Sequence, residues 1–204
     1  GLPAADWDRD SLCDGWRVRD VIGHMCVGHT EPLGSILVQV AKHRFDIDAG
    51  SAVASAAFAD AHTPAELADI FSGIAANRTR RGISRLIPYK AGFTDHLVHN
   101  QDIRRPLGQP REIPEARLLA ALDALPQNLG ATMPARKRLK GLKVTATDVE
   151  WAHGDGPEVR GPGEAIVLAG PDTLTLFLED GRSLPFALTS TRGRLVGRGA
   201  LRSA

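Results

Sequence analysis

Residues 91–108 read AGFTDHLVHNQDIRRPLG, a stretch whose apolar residues recur at the spacing of an amphipathic helix. Pro106 and Gly108 at its end, followed by Pro110, are typical helix terminators, so a helix is predicted over 91–104. Asp95 and His99 stand four residues apart and therefore project from the same helix face. An imidazole and a carboxylate supply part of a His₂–carboxylate ligand set, which suits zinc or a similar divalent cation.

The remaining ligand must come from another helix, and His24 is the best candidate. Residues 18–43 begin with apolar residues at helical spacing, and His24 stands at the margin of that apolar stripe. Asp20, four residues before His24, and Asp102, three residues after His99, are candidates to orient the second ring nitrogen of their histidine. The predicted metal ligands are therefore His24, Asp95 and His99.

Spacing alone leaves other interpretations open. A histidine on an apolar helix face is more often a hydrogen-bonded core residue than a ligand. Aspartate–histidine pairs at this spacing are also common on solvated helices. The rival ligands are His96, His29 and Glu31. The other histidines fall in predicted loops or turns and are expected to face solvent: His43, His62 and His153.

The first 125 residues or so have a helical pattern throughout. Pro32 is expected to interrupt the helix that contains His24. Residues 45–62 are rich in small side chains and are interpreted as a loop, or as a loop with a short helix. Thr63 and Glu66 have the spacing of a capping box, which predicts the start of the next helix. A further helix is predicted to begin at Pro114.

After about residue 140 the pattern changes to the alternation of strands. Residues 141–161 predict strands joined by a tight turn at 154–157, and residues 163–170 suit a short helix. Two alternating runs flank Asp180-Gly181, which is a hairpin signal. Two domains are predicted: a helical domain over residues 1–128, and a domain with both helices and strands over residues 129–204. The predicted fold class is therefore α+β.

Composition excludes several classes of function. Of the 204 residues, 43% are hydrophobic and the formal net charge is only +1, which argues against nucleic-acid binding. No run approaches the roughly 18 apolar residues of a membrane-spanning helix. Cys13 and Cys26 are too few for a disulfide framework, so they are expected to be reduced in a cytoplasmic protein. The chain opens at Gly1 rather than methionine, so a preceding helix is an expectation, and its loss would favour a homodimer.

Three segments together resemble one actinobacterial family. Residues 6–25 (DWDRDSLCDGWRVRDVIGHM), 95–108 (DHLVHNQDIRRPLG) and 146–170 (ATDVEWAHGDGPEVRGPGEAIVLAG) are similar to the mycothiol-dependent maleylpyruvate isomerase family. The resemblance implies a DinB-like four-helix bundle that binds metal, followed by a small α/β domain related to sterol-carrier folds. The chain departs from the family pattern after residue 170, where Pro171 and an arginine-rich tail follow.

The resemblance also implies a ligand set and a chemistry. By the family pattern, one histidine of the early helix and an acid–histidine pair of a later helix would hold a divalent metal, zinc, and the matching residues here are His24, Asp95 and His99. Asp95 is one methylene shorter than the glutamate expected there, and His96 is its alternative. The implied activity is that of a mycothiol-dependent isomerase or S-transferase, acting on an unsaturated acid or another small electrophile.

A non-catalytic protein is the competing hypothesis. A helical module that binds a metal or ligand structurally, or a regulatory protein, would have the same helical pattern. The shortened acidic residue at Asp95 and the unusual tail both favour this alternative. A basic cluster at residues 136–143 is interpreted as a solvated linker, with anion binding as the functional alternative.

Overall fold

The computed structural model is mostly helical, with a small sheet in the C-terminal part. The chain forms two compact units. The N-terminal unit comprises Gly1–Pro88 and His99–Arg111, and the C-terminal unit comprises Tyr89–Val98 and Glu112–Ala204. The division at residues 128 and 129 stays a prediction. The structure describes residues 2–44, 46–77, 79–109, 111–127, 139–168, 173–177, 183–188 and 195–197.

The described elements follow one another in a simple order. The α-helices are α1 (Val18–Thr30), α2 (Leu33–Lys42), α3 (Ile47–Asp60), α4 (Pro64–Ala76), α5 (Tyr89–Arg104), α6 (Glu115–Leu122) and α7 (Gly163–Leu168). The strands are β1 (Lys143–Ala146), β2 (Ala152–His153), β3 (Glu158–Gly161), β4 (Thr173–Phe177), β5 (Ser183–Leu188) and β6 (Leu195–Gly197). Short 3₁₀ turns cover Ala4–Asp6 and Gly82–Arg85.

The predicted helix boundaries at Pro32 and Thr63 are confirmed. Pro32 stands immediately before α2, because its fixed φ and missing N–H suit the entry of a helix better than its interior. Thr63 caps α4 through a reciprocal pair of hydrogen bonds with Glu66, in which each side chain accepts from the other residue's backbone N–H. Both features are local, so the sequence alone was sufficient to predict them.

The interpretation of residues 45–62 as mainly loop is wrong. Most of this segment forms α3, a helix of 14 residues. Asp46 caps its N-terminus by accepting a hydrogen bond from the N–H of Ala49. The run of alanines supplies high helix propensity without a marked apolar stripe, and that is why the periodicity did not reveal it.

The core of the N-terminal unit forms around α1. Its apolar residues pack with Leu67 of α4, Ile103 of α5 and Trp7. Gly23 permits a close approach of α1 to α3, since a Cβ atom there would lie 2.6 Å from the backbone oxygen of Ser55 and 3.2 Å from the Cβ of Ala59. This approach brings the polar residues of α3 beside α1.

The C-terminal unit contains a sheet with strand order β2-β1-β3-β4-β5-β6. β1 and β3 pair in parallel, and the other neighbours are antiparallel. The turn at 154–157 therefore does not close a simple hairpin, because β2 and β3 lie on opposite sides of β1. The predicted pairing of the strands around Asp180-Gly181 is confirmed by β4 and β5, although these two residues lie outside the described ones.

The predicted short helix over 163–170 is confirmed as α7 for Gly163–Leu168. Other predictions lie wholly or partly outside the described residues. They concern the domain boundary, of which 128–138 are not described, the basic cluster within it, and the arginines of the tail. Among the described residues, no helix has the length and apolar character that crossing a membrane requires.

Candidate metal centre

The centre is built on two histidine rings that lie on different helices, and both histidines belong to the N-terminal unit. His24 lies on α1 and His99 lies in the second half of α5. Their ring centroids are 4.9 Å apart, and the ring planes are inclined by 76°. Two imidazoles at this separation can direct nitrogen atoms at one point, as a shared cation requires.

Asp95 precedes His99 by about one turn of α5, so its carboxylate lies on the same helix face. One ligand atom each of His24, Asp95 and His99 lies within 4.8 Å of the other two. The rival ligands do not share this arrangement. Among the described residues, no set of three residues with ligand atoms this close together includes His96, His29 or Glu31. The chemistry of the donors, two nitrogens and one carboxylate oxygen, fits zinc or a similar divalent cation.

Asp102 orients the ring of His99 from the next turn of α5. Its Oδ2 atom lies 2.9 Å from Nδ1 of His99, and both side chains are largely buried. The carboxylate can only accept when ionised, so the Nδ1–H group of the imidazole donates to it. This hydrogen bond sets the tautomer that leaves Nε2 as the nitrogen with a lone pair.

Two serines of α3, rather than Asp20, contact the second ring nitrogen of His24. Nδ1 of His24 lies 3.1 Å from Oγ of Ser51 and 3.4 Å from Oγ of Ser55. The Ser55 hydroxyl donates to the carbonyl oxygen of Ser51, so its own oxygen can accept from the histidine. Sequence reasoning missed both serines, because it placed them in a loop.

The prediction that Asp20 orients His24 is wrong. Asp20 accepts hydrogen bonds from the backbone N–H and the guanidinium of Arg17, at 2.8–2.9 Å. This arrangement caps the N-terminus of α1, where a carboxylate also interacts favourably with the helix dipole. Asp20 therefore stabilises the helix that carries His24 without contacting the ring.

The loop before α1 brings Cys13 and Trp16 to the histidines. An isolated bridge between Asp10 and Arg17 closes this loop, and the N–H of Leu12 donates to the backbone oxygen of Asp102 at 3.0 Å. Trp16 then stacks on His99, with centroids 6.5 Å apart and planes inclined by 13°, and meets His24 edge-on at 5.4 Å. One indole ring thus restricts both imidazoles.

Cys13 contacts the same histidine–carboxylate pair. Its Sγ atom lies 3.3 Å from Oδ2 of Asp102 and 3.8 Å from Nδ1 of His99. Burial raises the pKa of the Cys13 thiol; the hydrogen bond with His99 lowers it in part, and the Asp102 carboxylate raises it again. No motif spacing connects Cys13 with residues 99–102, so the sequence carried no direct signal of this contact.

The turn of this loop depends on Gly15, whose φ of +74° lies in the left-handed region. A Cβ atom at Gly15 would meet nothing within 4 Å, so an alanine there would cause no steric clash. Its only cost would be the strain of holding a residue with a side chain at this φ. We expect Gly15→Ala to lower the free energy of unfolding by about 1 kcal/mol.

Urea unfolding measures this effect, and Gly73→Ala is the matched control. Gly73 lies inside α4, where an added Cβ also meets nothing within 4 Å. The control is expected to raise the free energy of unfolding by about 0.4–1 kcal/mol. Equal stability of Gly15→Ala and the unmodified chain would contradict the role of this turn.

Comparison with known proteins gives one family and two similar structures. Residues 1–83, which include His24, match the family described as the mycothiol maleylpyruvate isomerase N-terminal domain. No curated protein matches the chain. A crystal structure of the mycothiol-dependent maleylpyruvate isomerase is 14% identical with a TM-score of 0.49, covering 97% of this chain and 87% of that chain. A histidine-to-alanine mutant of that enzyme is 15% identical with a TM-score of 0.48, covering 83% of this chain and 80% of that chain.

The family match agrees with the resemblance carried by residues 6–25. It ends before α5, so it does not reach Asp95 or His99. The comparison therefore shows that residues 1–83 of this chain are similar to the mycothiol maleylpyruvate isomerase N-terminal domain.

Proposed function

We propose that this protein is a metal-dependent enzyme that uses a low-molecular-weight thiol, mycothiol, in an isomerase or S-transferase reaction. One observation carries the proposal: His24 and His99 come from separate helices and yet their rings lie 4.9 Å apart, with the carboxylate of Asp95 close to both. The match of residues 1–83 to the mycothiol maleylpyruvate isomerase N-terminal domain is the reason to propose mycothiol rather than another thiol.

The proposed ligands are His24, Asp95 and His99. Hydrogen bonds hold Nδ1 of both rings, so Nε2 is the proposed ligand atom in each histidine. These three groups would hold a divalent cation and leave it an open position; a cation bound there would supply the charge that lowers the pKa of a coordinated thiol and favours the thiolate nucleophile at neutral pH.

The surrounding residues prepare the site before any ligand arrives. Asp102 and the α3 serines select the ring tautomers, and the indole of Trp16 limits rotation of both imidazoles. Such preorganisation reduces the conformational entropy that ligand binding would otherwise cost. The partial burial of His99 and Asp102 also restricts the access of water to that side of the ring.

The finer parts of the proposal concern substrate, metal and layout. The proposed substrates are unsaturated acids of the maleylpyruvate type, or other small electrophiles, and the proposed metal is zinc. The DinB-like four-helix layout, the sterol-carrier-like second domain, a cytoplasmic location and a homodimer belong to the same proposal. Nothing in the charge of the chain favours nucleic acid as a partner.

Metal analysis followed by a thiol titration tests the proposal. The full chain, purified without a histidine tag, is stripped with a chelator and titrated with zinc or cobalt(II). We expect one divalent ion per chain. Addition of mycothiol to the cobalt form should then shift its visible spectrum, since a thiolate that enters an open position changes the ligand field. Conversion of a cis-unsaturated acid with and without mycothiol tests the isomerase activity.

The possible outcomes separate the competing functions. Stoichiometric metal with a thiol-induced spectral change supports the enzyme. Metal that binds without any response to thiol would favour the non-catalytic module. Absence of metal binding at micromolar concentration would contradict the proposal.

A further inference from the structure

Cys13 lies beside the ligand ring of His99, but on the side of the ring away from the proposed metal. The loop from residue 9 to residue 18 holds it there, because the N–H of Leu12 donates to the backbone oxygen of Asp102 and the N–H of Cys13 donates to Oγ of Ser11. The same Ser11 hydroxyl donates to the backbone oxygen of Trp16 at 2.8 Å. The position of the thiol is therefore determined by the backbone of the loop.

A single carboxylate oxygen joins the three side chains. Oδ2 of Asp102 lies 2.9 Å from Nδ1 of His99 and 3.3 Å from Sγ of Cys13. A thiolate and a carboxylate at this distance would repel each other, so a proton lies between them and the thiol donates. Oδ2 thus accepts from both an imidazole N–H and a thiol.

We propose that Cys13 is a positioning residue: its thiol holds the Asp102 carboxylate in the orientation that fixes the ring of His99 toward the metal. This inference rests on the metal site proposed above. The S–H group is a weak donor, so it restrains the carboxylate without displacing the stronger N–H donor of His99. Residues that hydrogen-bond to a metal-ligating side chain tune the affinity of the site for its metal.

The same geometry argues against Cys13 as a fourth ligand. Sγ lies 3.8 Å from Nδ1 of His99, whereas the proposed cation would bind Nε2. The N–H of Nδ1 and the lone pair of Nε2 point in different directions from the ring. Cys13, His99 and Asp102 do form a second group of close ligand atoms. A cation there would have to displace the proton of the hydrogen bond between His99 and Asp102.

The experiment compares cobalt(II) affinities of the full chain and three variants by competition with a chromophoric chelator. Cys13→Ala removes the thiol donor, and the cobalt(II) affinity of this variant is expected to fall by about 10-fold. This is the lower end of the loss seen when a residue that hydrogen-bonds to a metal ligand is removed. Cys13→Ser keeps a donor and is expected to stay within about 3-fold of the unmodified chain. Cys26→Ala is the control, because it removes the other cysteine, which is fully buried in the core of the N-terminal unit.

A second readout distinguishes a positioning residue from a ligand. The cobalt form is expected to lack the intense near-ultraviolet charge-transfer band of thiolate bound to cobalt. A band that disappears in Cys13→Ala would overturn the inference, because Cys13 would then bind the metal directly. Unchanged affinity in Cys13→Ala, or an equal loss in Cys26→Ala, would overturn it as well. Failure of the unmodified chain to bind cobalt would instead contradict the proposed function.

Discussion

His99→Ala is expected to lower the affinity of the chain for divalent metal by more than about 100-fold. Loss of groups that only orient a ligand already costs 10- to 100-fold, so loss of the ligand itself should cost more. The change also leaves the largely buried Asp102 without its imidazole donor. Chelator competition with zinc or cobalt(II) measures the affinity directly, independently of any enzymatic activity.

His43→Ala is the control for this measurement. His43 stands at the end of α2 and belongs to none of the groups of close ligand atoms found among the described residues. The metal affinity of the His43→Ala variant is expected to equal that of the unmodified chain. Equal affinities of His99→Ala and His43→Ala would mean that the metal, if any, binds elsewhere. Circular dichroism of both metal-free variants shows whether the helices persist.

Gly23→Ala is expected to lower the free energy of unfolding by about 2–3 kcal/mol. The added Cβ would lie 2.6 Å from the backbone oxygen of Ser55, which cannot move away as the end of a flexible side chain could. The helices α1 and α3 must therefore separate, and overpacking of this kind typically costs 1–3 kcal/mol. Separation also draws Ser51 and Ser55 away from Nδ1 of His24, so metal affinity should fall together with stability.

Gly28→Ala on the same helix is the matched control. Outside the backbone of its own helix, the nearest atom that a Cβ there would meet among the described residues is Cγ2 of Ile83 at 3.7 Å, an ordinary van der Waals contact. Alanine has the higher helix propensity, so this variant should be as stable as the unmodified chain or more stable. Urea unfolding of the two variants compares them directly. A Gly23→Ala variant as stable as Gly28→Ala would show that α1 and α3 do not approach as closely as described.

Much of the fold was predictable because its signals are local. The capping box of Thr63 and Glu66 acts within one turn, and the alternation of residues 173–188 is enough to predict two paired strands. The helix α3 was missed, because its alanines favour helix through propensity rather than through an apolar stripe. The parallel pairing of β1 with β3 was also missed, since it depends on contacts that no turn residue encodes.

The sequence by itself determined that Asp95 and His99 share a helix face and that Asp102 stands one turn further on, because helical geometry relates residues three and four apart. Only the tertiary structure decided which groups meet the two histidines from other parts of the chain. Cys13, Trp16 and Ser51 reach them through a loop closure and through the close packing of α1 on α3 at Gly23. The structure likewise shows that serines of α3 contact Nδ1 of His24, whereas the Asp20 carboxylate pairs with Arg17. Contacts between distant segments depend on how whole helices pack, and no short stretch of sequence specifies that packing.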